Sequence, residues 1–137
     1  RKFEQVKQAT DLHTATLTQR AVYEVVKDGF LNEHIPTIRS MYHTQAQAML
    51  SALDEHMPAG VKWNQPAGGM FLWLELPEQM DSEDMLKKAL ERNIAYVPGT
   101  PFYANEPVRN TLRLAFVTVP EEKIRAGVKV LGEVFDG

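Results

Sequence analysis

The chain has 137 residues, 44% hydrophobic and 24% charged, which suits one domain with a real core, or one domain plus a piece of another. A formal charge of −3 without a basic stripe argues against nucleic acid as a partner, and the lack of cysteine excludes a disulfide framework, a thiol nucleophile and a zinc–thiolate site. That usage fits a reducing compartment, so the expected location is cytoplasmic, and no apolar run is long enough to span a bilayer.

In chain order, residues 1–9 read as a polar helix with Phe3 and Val6 on one side, and a threonine-rich stretch then breaks the pattern. A second helix is predicted over 18–28, with Ala21, Val22, Val25 and Val26 at helical spacing and Gly29 as its stop. A longer one is predicted over 32–56. Its apolar stripe is Ile35, Ile38, Tyr42, Met49, Leu50 and Leu53, and Pro36 is tolerable only in a first turn. The chain opens inside a helical pattern and is expected to be a fragment or a processed product.

The second half is strand-like. Val61 to Trp63 is a short candidate. Gly68 and Gly69 precede the nearly continuous apolar run Met70-Phe71-Leu72-Trp73-Leu74-Glu75-Leu76, which suggests a strand covered on both faces. A helix is predicted over 82–92, with Asp81, Glu83 and Asp84 at its positive end. A strand over 94–97 closes on the Pro98-Gly99 turn signal, and another spans 111–117. Thr118 and Glu121 have capping-box spacing ahead of a last helix that carries Ile124, Val128, Leu131 and Phe135 on one face. These elements predict a layered α/β (α+β-like) domain with a mixed or antiparallel sheet covered by helices, preceded by the long helix. The expected boundary lies near Asn32, dividing 1–31 from 32–137, because the earlier helices have no strands of their own to pack on.

Most chemical templates fail. There is no Walker-type loop and no dinucleotide fingerprint. The four histidines, at 13, 34, 43 and 56, lack metal-ligand spacing, and only His13, in the threonine-rich segment, draws notice. Asp81, Glu83 and Asp84 read as helix-start charges, and Met70, Phe71 and Trp73 as core packing rather than a ligand box.

The informative stretch is Asn110-Thr111-Leu112-Arg113-Leu114-Ala115-Phe116. Alternation places Leu112, Leu114 and Phe116 on a core face and Thr111, Arg113 and Ala115 on the other. An arginine between small residues either faces water, pairs with a structural acid, or holds a carboxylate in its planar fork of donors.

Three strings in order, Gln65-Pro66-Ala67-Gly68-Gly69-Met70-Phe71-Leu72-Trp73, then Tyr96-Val97-Pro98-Gly99 with Phe102, then residues 110–116, resemble the C-terminal part of class I/II, fold type I pyridoxal-phosphate aminotransferases. The string Lys7-Gln8-Ala9-Thr10-Asp11-Leu12-His13-Thr14 is similar to the branch that includes 2-aminoadipate and aromatic aminotransferases. The resemblance implies that 1–31 are C-terminal helices of a large cofactor-binding domain and 32–137 the small domain. It implies that Arg113 holds the substrate α-carboxylate, that Phe102 lies near the substrate mouth, and that Gly68 and Gly69 face the side-chain pocket. It further implies pyridoxal 5'-phosphate as cofactor, an amino acid and a 2-oxo acid as substrates, and a homodimer in the full-length protein. The family's Schiff-base lysine lies in a Ser-x-x-Lys segment, which this sequence lacks. No catalytic or cofactor-binding residue is therefore expected within the chain, and the chain alone is expected to be inactive. Two alternatives stand beside this reading. One is the aminotransferase-like effector domain of a transcription regulator, and the other is a stand-alone module for small carboxylates.

Overall fold

A computed structural model describes all of residues 1–137. The order is α1 (Lys2–Thr10), α2 (Thr16–Val26), α3 (Phe30–His56), β1 (Lys62–Trp63), β2 (Phe71–Glu75), α4 (Ser82–Glu91), β3 (Val97–Pro98), a single 3-10 turn (Thr100–Phe102), β4 (Thr111–Ala115) and α5 (Glu121–Asp136). The chain divides into two compact units, Arg1–Arg39 and Ser40–Gly137, and the division falls within α3. No helix is long and apolar enough to cross a membrane.

In the first unit α1 and α2 bury no residue, and Phe3 and Leu17 are 93% and 81% exposed. Gly29, at φ +87°, makes the turn between α2 and α3. The Asn32 N–H donates to the Gly29 carbonyl, and the Phe30 ring stacks on His34 at 4.9 Å, one turn on. These contacts start α3 two residues before its expected beginning. Pro36 thus stands in the second turn rather than the first, where it gives no N–H to the Asn32 carbonyl.

The second unit is built on a four-stranded antiparallel sheet in the order β1-β2-β4-β3. Leu72, Leu74 and Leu76 from β2 and its end join Leu112, Leu114 and Phe116 from β4 and its end in one core. Met49, Ala52 and Leu53 of α3, Ala89 of α4, and Ile124, Val128, Leu131 and Phe135 of α5 complete it. The helices cover one face of the sheet. On β2 the buried residues alternate with exposed or half-buried Phe71, Trp73 and Glu75, so this strand is not covered on both faces as its apolar run suggested. Beyond the ladder, Asn110 and Leu76 lock together through the Leu76 N–H to the Asn110 carbonyl at 2.7 Å and Asn110 Nδ2 to the Leu76 carbonyl at 2.5 Å.

The termini of α4 show why that helix sits where it does. Asp81 caps it, accepting the Glu83 N–H at 2.8 Å. At its far end Asn93 takes φ 61°, and the Ile94 N–H reaches back to the Ala89 carbonyl, a left-handed stop that asparagine tolerates. α5 begins at Glu121 with Pro120 as its cap residue and no side-chain cap, so Thr118 does not form the expected capping box. Thr118 lies in the bend that follows β4, two residues outside the cap position.

Asp81 also receives Arg109 Nε at 2.6 Å. Burial pushes the Asp81 carboxyl upward, but the Arg109 hydrogen bond and charge and the Glu83 amide outweigh it, so its pKa is lowered. A depressed carboxylate stabilises the fold above its unfolded-state pKa, and that stabilisation is lost as pH falls through the folded value. Asp81→Asn keeps a capping acceptor but removes the titration. The variant is expected to lose less stability than the parent between about pH 5 and pH 2, as urea midpoints across that range will show.

Candidate carboxylate-binding site

β4 lies inside the sheet, so Arg113 has strand neighbours on both sides: Trp73 of β2 and Val97 of β3 stand in register with it. Leu112 and Leu114 point into the core at 0% and 6% exposure, which puts the half-buried Arg113 on the open face. Phe71 pairs with Ala115 and is thus the diagonal neighbour of Arg113, with the small Ala115 leaving its ring room. The guanidinium carbon stands over the Phe71 ring at 4.0 Å and over the Phe102 ring at 4.8 Å. Each such cation–ring contact contributes about 0.5–1 kcal/mol where water still reaches it. Trp73 meets Phe102 edge-on at 5.6 Å and Tyr103 at 6.3 Å. A recess of about 170 Å³ opens here, lined by Phe71, Ala95, Tyr96, Val97, Arg113 and Ala115.

No carboxylate of the chain pairs with Arg113. The ion pairs use other partners, such as Lys62 with Glu75, Arg92 with Glu133, and Arg109 with Asp81 and Glu83. A guanidinium lying against ring faces keeps its N–H groups pointing outward in its own plane. That geometry accepts a carboxylate edge-on through two parallel hydrogen bonds.

The other candidate residues are placed less tightly. Phe102 joins the site directly. Gly68 and Gly69 are exposed at the entry to β2, with open space where a Cβ would stand, and Gly69 takes φ +93°, which only glycine adopts without strain. His13 is exposed, its Nδ1 2.9 Å from the Thr14 carbonyl, and no cluster of potential metal ligands exists. Phe71 and Met70 do not pack in the core as expected but stand 38% and 41% exposed, while Trp73 is half-buried at the sheet. Phe71 is the site residue that sequence reasoning missed. The period of two along Phe71, Trp73 and Glu75, set against Leu72, Leu74 and Leu76, is the signal that marks it.

An open sheet face with one arginine among aromatic rings, backed by helices, defines an α/β domain that binds small carboxylates. The family model for aminotransferase class I and II matches residues 4–131, and the chain belongs to that family. It is 51% identical over 133 residues to aromatic-amino-acid aminotransferase 1 of Thermococcus litoralis, covering 97% of this chain and 32% of that protein. It is 46% identical over 136 residues to the 2-aminoadipate transaminase of Thermus thermophilus, covering 99% of this chain and 34% of that one. The crystal structure of the alpha-aminoadipate aminotransferase LysN of Thermus thermophilus, complexed with N-(5'-phosphopyridoxyl)-L-leucine, superposes with a TM-score of 0.87. Its identity is 47%, over 97% of this chain and 34% of that one. The chain therefore spans about a third of the length of these relatives.

The family generally works with pyridoxal phosphate. The residues around Arg113 do not fit that group. The recess is lined by aromatic and aliphatic side chains with the one arginine, and it holds no lysine to join the cofactor's aldehyde and no carboxylate for a pyridine nitrogen. What these residues present is a seat for a carboxylate.

Proposed function

We propose that this chain is the carboxylate-binding part of a pyridoxal-phosphate-dependent aminotransferase, which moves an amino group between an L-amino acid and a 2-oxo acid. The observation that carries the reading is the half-buried Arg113 guanidinium, held over two aromatic rings with no acid of its own. Both substrates of such a reaction carry an α-carboxylate, so one arginine serves donor and acceptor alike. Fixing that carboxylate by two hydrogen bonds leaves the Cα substituents in one orientation, the entropic part of catalysis that a binding residue supplies. Phe102 forms the wall of the mouth, and Gly68 and Gly69 stand toward the substrate side chain. In this reading residues 1–31 close the large cofactor-binding domain and 32–137 form the small one, the whole protein is a homodimer, and the cofactor is held by residues outside this chain. The names of the relatives make aromatic amino acids and 2-aminoadipate the first substrates to try.

The test is amino-group transfer by the full-length protein with pyridoxal phosphate, followed as formation of the new amino acid from 2-oxoglutarate. Turnover with at least one of the two substrate types is expected. Its absence across a panel of amino acids overturns the reading. The 137-residue chain alone, given the same cofactor and substrates, is expected to show no turnover above the cofactor in buffer. Turnover by it would mean that the chemistry resides in these residues after all.

A further inference from the structure

Phe102 sits on an exposed segment, yet its ring lies against Arg113, and the structure shows what holds it there. The segment leaves β3 at Gly99, whose N–H donates to the Thr111 carbonyl at 2.7 Å. Gly99 is pressed so closely on β4 that a Cβ there would lie 2.0 Å from Thr111 Oγ1 and 2.9 Å from the Thr111 carbonyl oxygen. One residue on, Thr100 Oγ1 donates to Glu83 Oε1 at 2.7 Å, tying the 3-10 turn to the first turn of α4. Glu83 is itself fixed, since its N–H is held by Asp81 and Arg109 Nη2 lies 3.8 Å from its second carboxylate oxygen. The Phe102 N–H then closes the turn on the Gly99 carbonyl at 2.9 Å. Phe102 is thus reached from two anchors, β4 through Gly99 and α4 through Thr100. Beyond it the chain returns to α4 only at Arg109, which pairs with Asp81.

We propose that Thr100 and Glu83 form a clasp that positions Phe102 against the Arg113 guanidinium and thereby tightens binding of the substrate carboxylate. The inference rests on the aminotransferase reading above and names two positioning residues for it. With the clasp closed, the ring limits the guanidinium to the orientation that offers its paired N–H groups. With the clasp open, the arginine samples other rotamers, and each substrate must select the competent one. Such a loss falls equally on the bound substrate and the transition state, so it raises KM and leaves kcat in place.

The experiment is steady-state kinetics of the full-length enzyme with pyridoxal phosphate, comparing wild type with Thr100→Val, Thr100→Ser, Glu83→Gln, Phe102→Ala and the double variant Thr100→Val/Phe102→Ala. Thr100→Val, close in shape but without the donor, is expected to raise KM for both the amino acid and the 2-oxo acid about three- to ten-fold, the effect of one lost hydrogen bond. Its kcat stays within about two-fold. Thr100→Ser restores wild-type KM. Glu83→Gln keeps an acceptor oxygen for Thr100 and raises KM less than Thr100→Val does. In the Phe102→Ala background Thr100→Val adds nothing further, because the clasp acts through that ring. An unchanged KM in Thr100→Val, or an undiminished effect of Thr100→Val without Phe102, overturns the clasp. Arg113→Ala in the same assay separates the two levels. If it lowers kcat/KM strongly while Thr100→Val does nothing, the clasp alone fails. If it too changes nothing, the carboxylate site itself is wrong and the clasp falls with it.

Discussion

Arg113→Ala in the full-length protein is expected to lower kcat/KM for the amino-acid substrate by about thirty- to several-thousand-fold. Truncating one partner of a hydrogen-bonded charge pair costs about 2–5 kcal/mol, and each 1.4 kcal/mol is a factor of ten. Arg113 is half-buried in this chain, so the lower part of that range applies unless a second domain closes over it and excludes water. Arg113→Lys keeps the charge but replaces a planar fork by a point, and it is expected to recover part of the loss and no more. Thermal stability should be untouched in both variants, because no acid of the chain depends on this guanidinium. Wild-type kcat/KM in Arg113→Ala would remove the carboxylate role. A normal kcat/KM per folded molecule together with a lowered Tm would make the arginine structural.

The second large effect concerns the fold. Gly132, on α5, lies where that helix meets the end of α3. A Cβ there would stand 2.2 Å from the His56 carbonyl oxygen and 3.0 Å from its carbon. Backbone at a helix end does not move aside as a flexible side chain does, so Gly132→Ala forces the two helices apart. Overpacking of this kind costs about 1–3 kcal/mol, which exceeds the gain of up to about 1 kcal/mol from alanine's helix propensity. Gly132→Val should cost more. Gly127, five residues earlier on the same helix, gives the opposite sign. Its Cβ would meet only the terminal carbon of Ile94 at 3.4 Å, so Gly127→Ala is expected to stabilise by up to about 1 kcal/mol. Both tryptophans, Trp63 and Trp73, belong to the unit Ser40–Gly137, so fluorescence-detected urea unfolding reports on it directly. Equal midpoints for the two alanine variants would show that the α3–α5 contact relaxes freely.

What the sequence displayed depended on how local the cause was. The alternation in residues 110–116 separated the core face from the Arg113 face without help, because a period of two is written in neighbouring residues. The last helix showed its buried stripe, from Ile124 to Phe135, for the same reason at a period near four. Membership of the aminotransferase family was carried by ordered short strings around Gly68, Gly99 and Arg113. By contrast, β2 concealed its open face. Phe71 and Trp73 are as apolar as the leucines between them, and only pairing with β4, some forty residues away, reveals that their rings flank a cation. The ties from Thr100 to Glu83 and from Arg109 to Asp81 are likewise long-range and polar, and residue spacing carries no trace of them. Thr118 failed as a cap because β4 ends in a bend that leaves it outside the helix, a tertiary choice overriding a local pattern.

The strand order has a consequence for the company this sheet keeps. Its two longer strands, β2 and β4, are interior, and its margins are β1 and β3, two residues each. Pro98 removes a donor from one margin, and Lys62 puts a charge on the other. Neither rim offers the row of free N–H and C=O groups on which a foreign strand could grow. During folding, when many copies of such a chain are crowded together, the sheet cannot be extended from chain to chain, and the pairing that brings Trp73 beside Arg113 has no intermolecular rival.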